Sequence, residues 1–217
     1  MELVFWDILH RWDQILTLFI NKFHHPASDQ FMIFMSERAV WFPLYALIAF
    51  FFVKRLGWKK GLIAIACMGL TLLACDQTSN LLKYSVARLR PCYSSRMIFG
   101  GLHVLETRGN FYGFFSAHAA NAFGFALCSS ILFRYDKTHT YRAYITWILI
   151  WATLLSISRI FVGKHYLGDI IVGAVIGCSY GTIIAMAARW FFARFIDKKR
   201  PAAIGTSTKD DFTTTKE

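Results

Sequence analysis

The stretch Ile145–Trp190, ITWILIWATLLSISRIFVGKHYLGDIIVGAVIGCSYGTIIAMAARW, holds two apolar runs joined by a very short polar turn. A hydrocarbon core about 30 Å thick needs roughly 20 apolar residues as helix. Ile145 to Val162 and Tyr166 to Trp190 both meet that length. The junction nevertheless carries Arg159, His165 and Asp169. Charge beside a membrane span is tolerated where it is paired, faces a cavity or lies at an interface. His165 and Asp169 are four residues apart at the start of the last run, on one helix face. The carboxylate can accept the imidazole Nδ1–H, fix the tautomer and leave the Nε2 lone pair outward as a nucleophile. The pair could equally hold two helices together; an outward position beside Arg159 favours chemistry.

Working outward, Leu62 to Leu82 and Phe114 to Phe133 are also long enough to span, and Trp41 to Val53 is shorter and extends at both ends. Leu3 to Ile20 carries Asp7, Arg11 and Asp13 near its middle, so segment 1–23 reads as an interfacial helix or a first span. The sequence therefore predicts an all-α integral membrane bundle of five or six transmembrane helices. Residues 1–200 form one membrane-embedded domain in this reading. Residues 201–217, rich in Thr, Ser, Lys and Asp, are expected to be a disordered cytoplasmic tail. The composition agrees: 56% of the 217 residues are hydrophobic, and the mean hydropathy of +0.41 is too high for an ordinary soluble domain.

A net charge of +11 raises the question of nucleic acid. The cations, however, cluster at the ends of apolar runs, and no nucleic-acid-binding motif is present. The five cysteines show no zinc-ligand spacing and are expected to be small buried residues rather than a disulfide framework. The first segment lacks the basic start and clean apolar core of a signal peptide. Lys54, Arg55, Lys59 and Lys60 form one basic loop; Arg134, Lys137 and Arg142 form a second; Arg189, Arg194, Lys198, Lys199 and Arg200 follow the last span. If the spans alternate, all three sets share one side, which the positive-inside rule makes cytoplasmic. Segments 24–38 and 91–113 and the 163–165 turn then face outward.

That outer side gathers two more polar clusters. Asp76, Asn80, Lys83 and Arg90 read as a polar stripe on one helix, which Pro91 ends near Arg90. Arg suits a bidentate grip on phosphate oxygens, and Lys acts as a point charge. Snorkelling at the membrane edge is the competing reading for this pair. Arg88 lies off the stripe and is expected to meet lipid head groups. Ser116-Ala117-His118 opens the Phe114–Phe133 run, with Ser116 as the expected N-cap. Free N–H groups at a helix start also bind anions. His118 sits in the first turn at that mouth, where a lone histidine can simply be hydrogen-bonded at the interface.

These clusters resemble the three-part signature of the type 2 phosphatidic acid phosphatase superfamily, K-x6-RP, PSGH and SR-x5-H-x3-D. Lys83 to Arg90-Pro91 matches the first part fully, and Ser158-Arg159 to His165 and Asp169 matches the third. The second reads Phe115-Ser116-Ala117-His118, so the family's Pro and Gly are replaced while Ser and His remain. The resemblance implies catalytic roles for His165, His118 and Asp169, with Lys83, Arg90, Ser116, Ala117 and Arg159 binding the substrate phosphate. His165 would form a phosphohistidine, Asp169 would orient it, and His118 would protonate the leaving oxygen. No cofactor and no metal are expected in that site. The implied partner is a phosphorylated membrane lipid, and the implied place is a bacterial cytoplasmic (inner) membrane with the site facing the periplasm or exterior. Lipid A and undecaprenyl diphosphate are the candidate substrates, with phosphatidylglycerol phosphate and phosphatidic acid as alternatives. A vanadate-dependent haloperoxidase shares the anion pocket, but the spans argue against it. An anion transporter would have no use for a nucleophilic His–Asp pair.

Overall fold

A computed structural model describes residues 2–107 and 109–197, with side chains from residue 6 onward. The expected tail at 201–217 and the cations Lys198, Lys199 and Arg200 lie outside the described residues. The chain is an all-α bundle: α1 (Glu2–Asn21), α2 (Pro26–Ser36), α3 (Phe42–Leu56), α4 (Trp58–Val86), α5 (Ser95–Phe99), α6 (Ala117–Phe133), α7 (Arg142–Phe161) and α8 (Leu167–Phe191). Helix α8 continues into a π-helical turn over Phe192–Ile196. Among the described residues, four segments are long and apolar enough to cross a membrane: Ala39–Leu56, Trp58–Val86, Arg142–Phe161 and Leu167–Ile196. The shorter apolar α6 sits at the centre, and most of its residues are buried.

Helix α8 packs against α6 along a seam of small residues. Gly173, Gly177, Gly181 and Ala185 recur every four residues and are all buried. That spacing forms one stripe on a helix. A β-carbon at Gly173 would stand 2.6 Å from the Ser116 carbonyl oxygen; one at Gly177 or Gly181 would come closer still to the Ala120 or Gly124 carbonyl. In lipid, where helices gain little from hydrophobic association, such close approach supplies the packing. The Ser116 N–H then donates to the Asp169 carbonyl at 3.0 Å, which fixes the start of α6 beside the first turn of α8.

Two details differ from expectation. Segment 24–38 is not a loop; Pro26 opens the 11-residue α2, with His25 as its N-cap. Helix α4 ends at Val86 rather than near Arg90, because Ala87 adopts a left-handed cap conformation whose N–H donates to the Lys83 carbonyl. Arg90 is thus extended backbone beyond the helix and does not share a helix face with Lys83. What returns it to the same place is a short antiparallel contact between Leu89 and Tyr112.

Helix α1 is not among the candidate spans. Its polar positions bind one end of the bundle. Asp13 accepts the Gly168 N–H, Thr17 accepts the Leu167 N–H, and Asn21 donates to the Ile160 carbonyl. Steps of four residues along α1 therefore meet the junction of α7 and α8, so α1 crosses that junction.

Candidate active site

Each motif residue is placed by a helix end. Lys83 lies in the last turn of α4, Ser116 caps α6 by accepting the Ala119 N–H at 3.4 Å, and Arg159 lies in the last turn of α7. The turn to α8 needs Gly163, whose φ of +79° is costly for other residues. It delivers His165 two residues before α8 begins. Lys83, Arg90, Ala117, His118, Arg159 and His165 line one cavity of about 700 Å³. Lys83, Arg90, Ser116, Arg159, His165 and Asp169 are all buried.

His165 Nδ1 faces Asp169 Oδ2 at 3.5 Å, an ion-pair distance longer than a good hydrogen bond. Asp169 is fully buried and otherwise well bound. Its Oδ1 accepts from Arg88 at 2.7 Å, and its Oδ2 accepts the Tyr166 N–H at 3.1 Å as part of a capping box. Gly113 closes the gap between the two: a β-carbon there would lie 3.5 Å from Asp169 Oδ2 and 3.6 Å from His165 Nδ1. The sequence left open whether Asp169 or the cations govern the charge on His165. Burial, followed by Arg159, Arg90 and Lys83, holds its pKa well below the ordinary histidine value, which favours the uncharged ring.

Lys83 and Arg90 have no ion-pair partner among the described residues. Arg159 hydrogen-bonds Ser36 and approaches Glu106 at 3.7 Å, while its Nε is buried without a partner. Buried cations turned to one cavity form a site for an anion with several acceptor oxygens.

Arg88 corrects the sequence reading. It does not face head groups but bridges Asp13 at 2.6 Å and Asp169 at 2.7 Å, and its guanidinium lies 3.8 Å over the Tyr166 ring. Motif reading also passed over Arg38, Glu106 and Lys164. Arg38 Nε donates to His118 Nε2 at 3.3 Å, and Glu106 lies 3.6 Å from Lys164. Nothing in local sequence marks Arg38 or Glu106, which come from loops that the fold brings to the cavity, whereas Lys164 sits inside the third motif beside His165. The four-residue glycine spacing in α8 was legible and would have indicated the α6–α8 contact.

The opposite end of the bundle gathers the other cations. Lys60 pairs with Asp197 at 2.5 Å, and Arg55 reaches His139 at 2.8 Å. The basic loops therefore do share one end, away from the cavity. Cys92, at the start of the 91–113 segment, is buried, as expected of the cysteines.

Comparisons with known proteins agree with this geometry. Residues 60–196 match the PAP2 superfamily. The Lipid A 4'-phosphatase of Bacteroides thetaiotaomicron is 35% identical over 184 residues, spanning 84% of this chain and 79% of that protein. The Lipid A 4'-phosphatase of Porphyromonas gingivalis is 30% identical over 190 residues, spanning 86% and 77%. Among solved structures, the PAP2-type phosphatidylglycerolphosphate phosphatase of Bacillus subtilis has a TM-score of 0.66 at 17% identity, covering 87% of this chain and 89% of that one. LpxE of Aquifex aeolicus has a TM-score of 0.58 at 23% identity, covering 79% and 93%. At such identities the solved structures speak to fold alone.

Proposed function

The chain belongs to the PAP2 superfamily, and from that premise we propose that it removes a phosphate from lipid A through a phosphohistidine on His165. It is a membrane lipid phosphatase. The observation that carries the reading is the convergence of Lys83, Arg90, His118, Arg159 and His165 on one cavity, with Asp169 behind the imidazole. Two curated relatives that act on lipid A by name favour that lipid over undecaprenyl diphosphate, phosphatidylglycerol phosphate and phosphatidic acid.

In the first half-reaction, neutral His165 attacks phosphorus through Nε2 and the P–O bond to the lipid breaks. His118 gives its proton to the leaving oxygen. Asp169 stabilises the positive charge that develops on the ring, and Arg88 holds that carboxylate in place. Lys83, Arg90, Arg159 and the N–H groups at the start of α6, near Ser116 and Ala117, stabilise the equatorial oxygens. In the second half-reaction His118 accepts a proton from water, which attacks the phosphohistidine and releases inorganic phosphate. Residues 1–200 act as one unit in this scheme, because α1 supplies Asp13 to Arg88. The cavity end faces the periplasm or exterior and the basic end faces the cytoplasm, in accord with the positive-inside rule.

The decisive experiment measures phosphate released by purified protein from lipid A and the three competing lipids, with EDTA and with vanadate. Release from lipid A that survives EDTA and is blocked by vanadate, a five-coordinate mimic of the transition state, is the expected result. Turnover lost to EDTA and restored by magnesium would overturn the metal-free mechanism. Anion uptake into vesicles without hydrolysis would indicate a transporter. Orientation is read with an impermeant thiol reagent on intact cells. A cysteine replacing Phe99, which is 90% exposed beside the cavity end, should be labelled, and one replacing Lys59 should not.

A further inference from the structure

A second group of ligating side chains stands outside the phosphate cavity. His24 lies between α1 and α2, Asp29 in the first turn of α2, and His103 in the segment after α5. One ligand atom from each lies within 4.8 Å of the other two. His103 Nε2 is 3.0 Å from Asp29 Oδ2, and the His24 and His103 rings stack with centroids 3.9 Å apart. The other carboxylate oxygen, Asp29 Oδ1, is buried with no hydrogen-bond partner among the described residues. Asp29 as a whole is only 9% exposed. A buried carboxylate oxygen in that state calls for a partner such as an ordered water or an ion.

The backbone beneath the group is held firmly. Asn21 Oδ1 accepts the His103 N–H at 2.7 Å, and Asn21 Nδ2 donates to the His103 carbonyl and the Ile160 carbonyl, each at 3.0 Å. His25 caps α2, so the α1–α2 turn that carries His24 is fixed as well. Two distant parts of the chain thus present imidazole and carboxylate groups toward each other from restrained positions.

We propose that His24, Asp29 and His103 form a structural site for a borderline divalent transition-metal ion such as zinc, tying the α1–α2 turn to the 101–113 segment. Two imidazoles and one carboxylate suit zinc better than magnesium or calcium, which prefer all-oxygen sets. Zinc–ligand bonds of about 2.0–2.2 Å in tetrahedral geometry set donor atoms roughly 3.3–3.5 Å apart. The 3.0 Å separation of His103 Nε2 and Asp29 Oδ2 opens by a few tenths of an ångström, and the His24 ring, now stacked on His103, turns to bring a nitrogen to the same point. Water completes the fourth position. The competing reading is a plain His103–Asp29 ion pair with His24 stacked on it.

The consequence concerns the cavity wall. The segment runs on from His103 to Glu106, whose N–H donates to the Val162 carbonyl at 3.3 Å and whose carboxylate faces Arg159 and Lys164. A metal at His103 would anchor this wall without touching the reacting phosphate.

The test uses the full chain in detergent, stripped with chelator and then exchanged into micromolar zinc chloride with magnesium in excess. Zinc per chain is measured by elemental analysis, and thermal unfolding is followed with and without zinc. The expected result is about one zinc per chain and a Tm raised by ~3 °C or more. Both effects should vanish in His24→Ala and His103→Ala and persist in His139→Ala, whose imidazole lies at the other end of the bundle. His24 is exposed, so its variant keeps the fold even if His103→Ala does not. No zinc on the wild type, or equal zinc on the His24→Ala protein, overturns the proposal. A Tm that responds to pH but not to zinc also overturns it and leaves the ion pair.

Discussion

The two ends of the bundle are both rich in cations, yet only one of them forms a site. At the basic end Lys60 and Arg55 are bound to Asp197 and His139 near the surface. At the cavity end Lys83, Arg90 and Arg159 are buried and turned to a common space beside two histidines. The residue types are nearly the same. What differs is burial, convergence and, for Lys83 and Arg90, the lack of an ion-pair partner among the described residues, and these are what let a cation act on an anion that arrives from outside.

The largest effect should come from His165→Ala. If the cavity end is the reactive one, phosphate release falls by ~10³-fold or more while the protein stays folded and inserted. A variant that retains most of the wild-type rate removes His165 from the nucleophile role. His118→Ala should lose roughly 10²–10⁴-fold, the usual range for a general acid, but should still trap a phosphohistidine from a substrate with a good leaving group. Mass spectrometry of acid-sensitive digests checks for the adduct; its absence favours direct attack by water.

Arg88→Leu sharpens the comparison through stability. It strands two carboxylates, Asp13 and the fully buried Asp169, so a loss of about 3–5 kcal/mol is expected with a fall in kcat. Thermal unfolding and kinetics of the same preparation separate the two effects. Next, Gly177→Ala should cost about 1–3 kcal/mol because its new methyl meets the Ala120 carbonyl. Gly69→Ala on α4, with nothing within 4 Å, should be neutral or slightly stabilising. At the basic end Lys60→Ala should change stability by about 1 kcal/mol or less and leave turnover intact.

The pH profile gives the finest distinction. A base that must be free and an acid that must be protonated give a bell, whose limbs report the coupled pair. Since the folded-state pKa of His165 is depressed, its ring stays neutral as pH falls past its ordinary value near 6.5. The acid limb of kcat/KM should therefore lie below that value. The sign for stability follows from proton binding: below about 6.5 the unfolded chain binds a proton that the folded one refuses, so stability falls with acid there. The dependence should weaken in His165→Ala without vanishing, because burial lowers the pKa of His10 as well.

The motif spacing carried the catalytic proposals because the chemistry of this family is written in residues close together in the chain. The four-residue spacing of His165 and Asp169 suggested a shared helix face, but α8 begins only at Leu167, and His165 meets Asp169 from the turn that precedes the helix. Lys83 and Arg90 show where this fails. Their spacing resembled two helical turns, but the left-handed cap at Ala87 ends the helix early and a contact with Tyr112 returns Arg90 to the cavity. Arg88 is a sharper case. Sequence periodicity sent it toward lipid, whereas Asp13 of α1 and Asp169 of α8 draw it inward.

Sequence alone determined the all-α membrane bundle, the grouping of basic loops at one end and the identity of the motif residues. Those features rest on hydropathy, helix length and local spacing, which act within one segment at a time. Only the tertiary structure decided that α1 crosses the α7–α8 junction, that Arg38 and Glu106 join the cavity, and that the uncharged ring of His165 is favoured. Each of these depends on groups from separate segments meeting in a buried space, where low polarity magnifies both the cost of a lone charge and the gain from a partner.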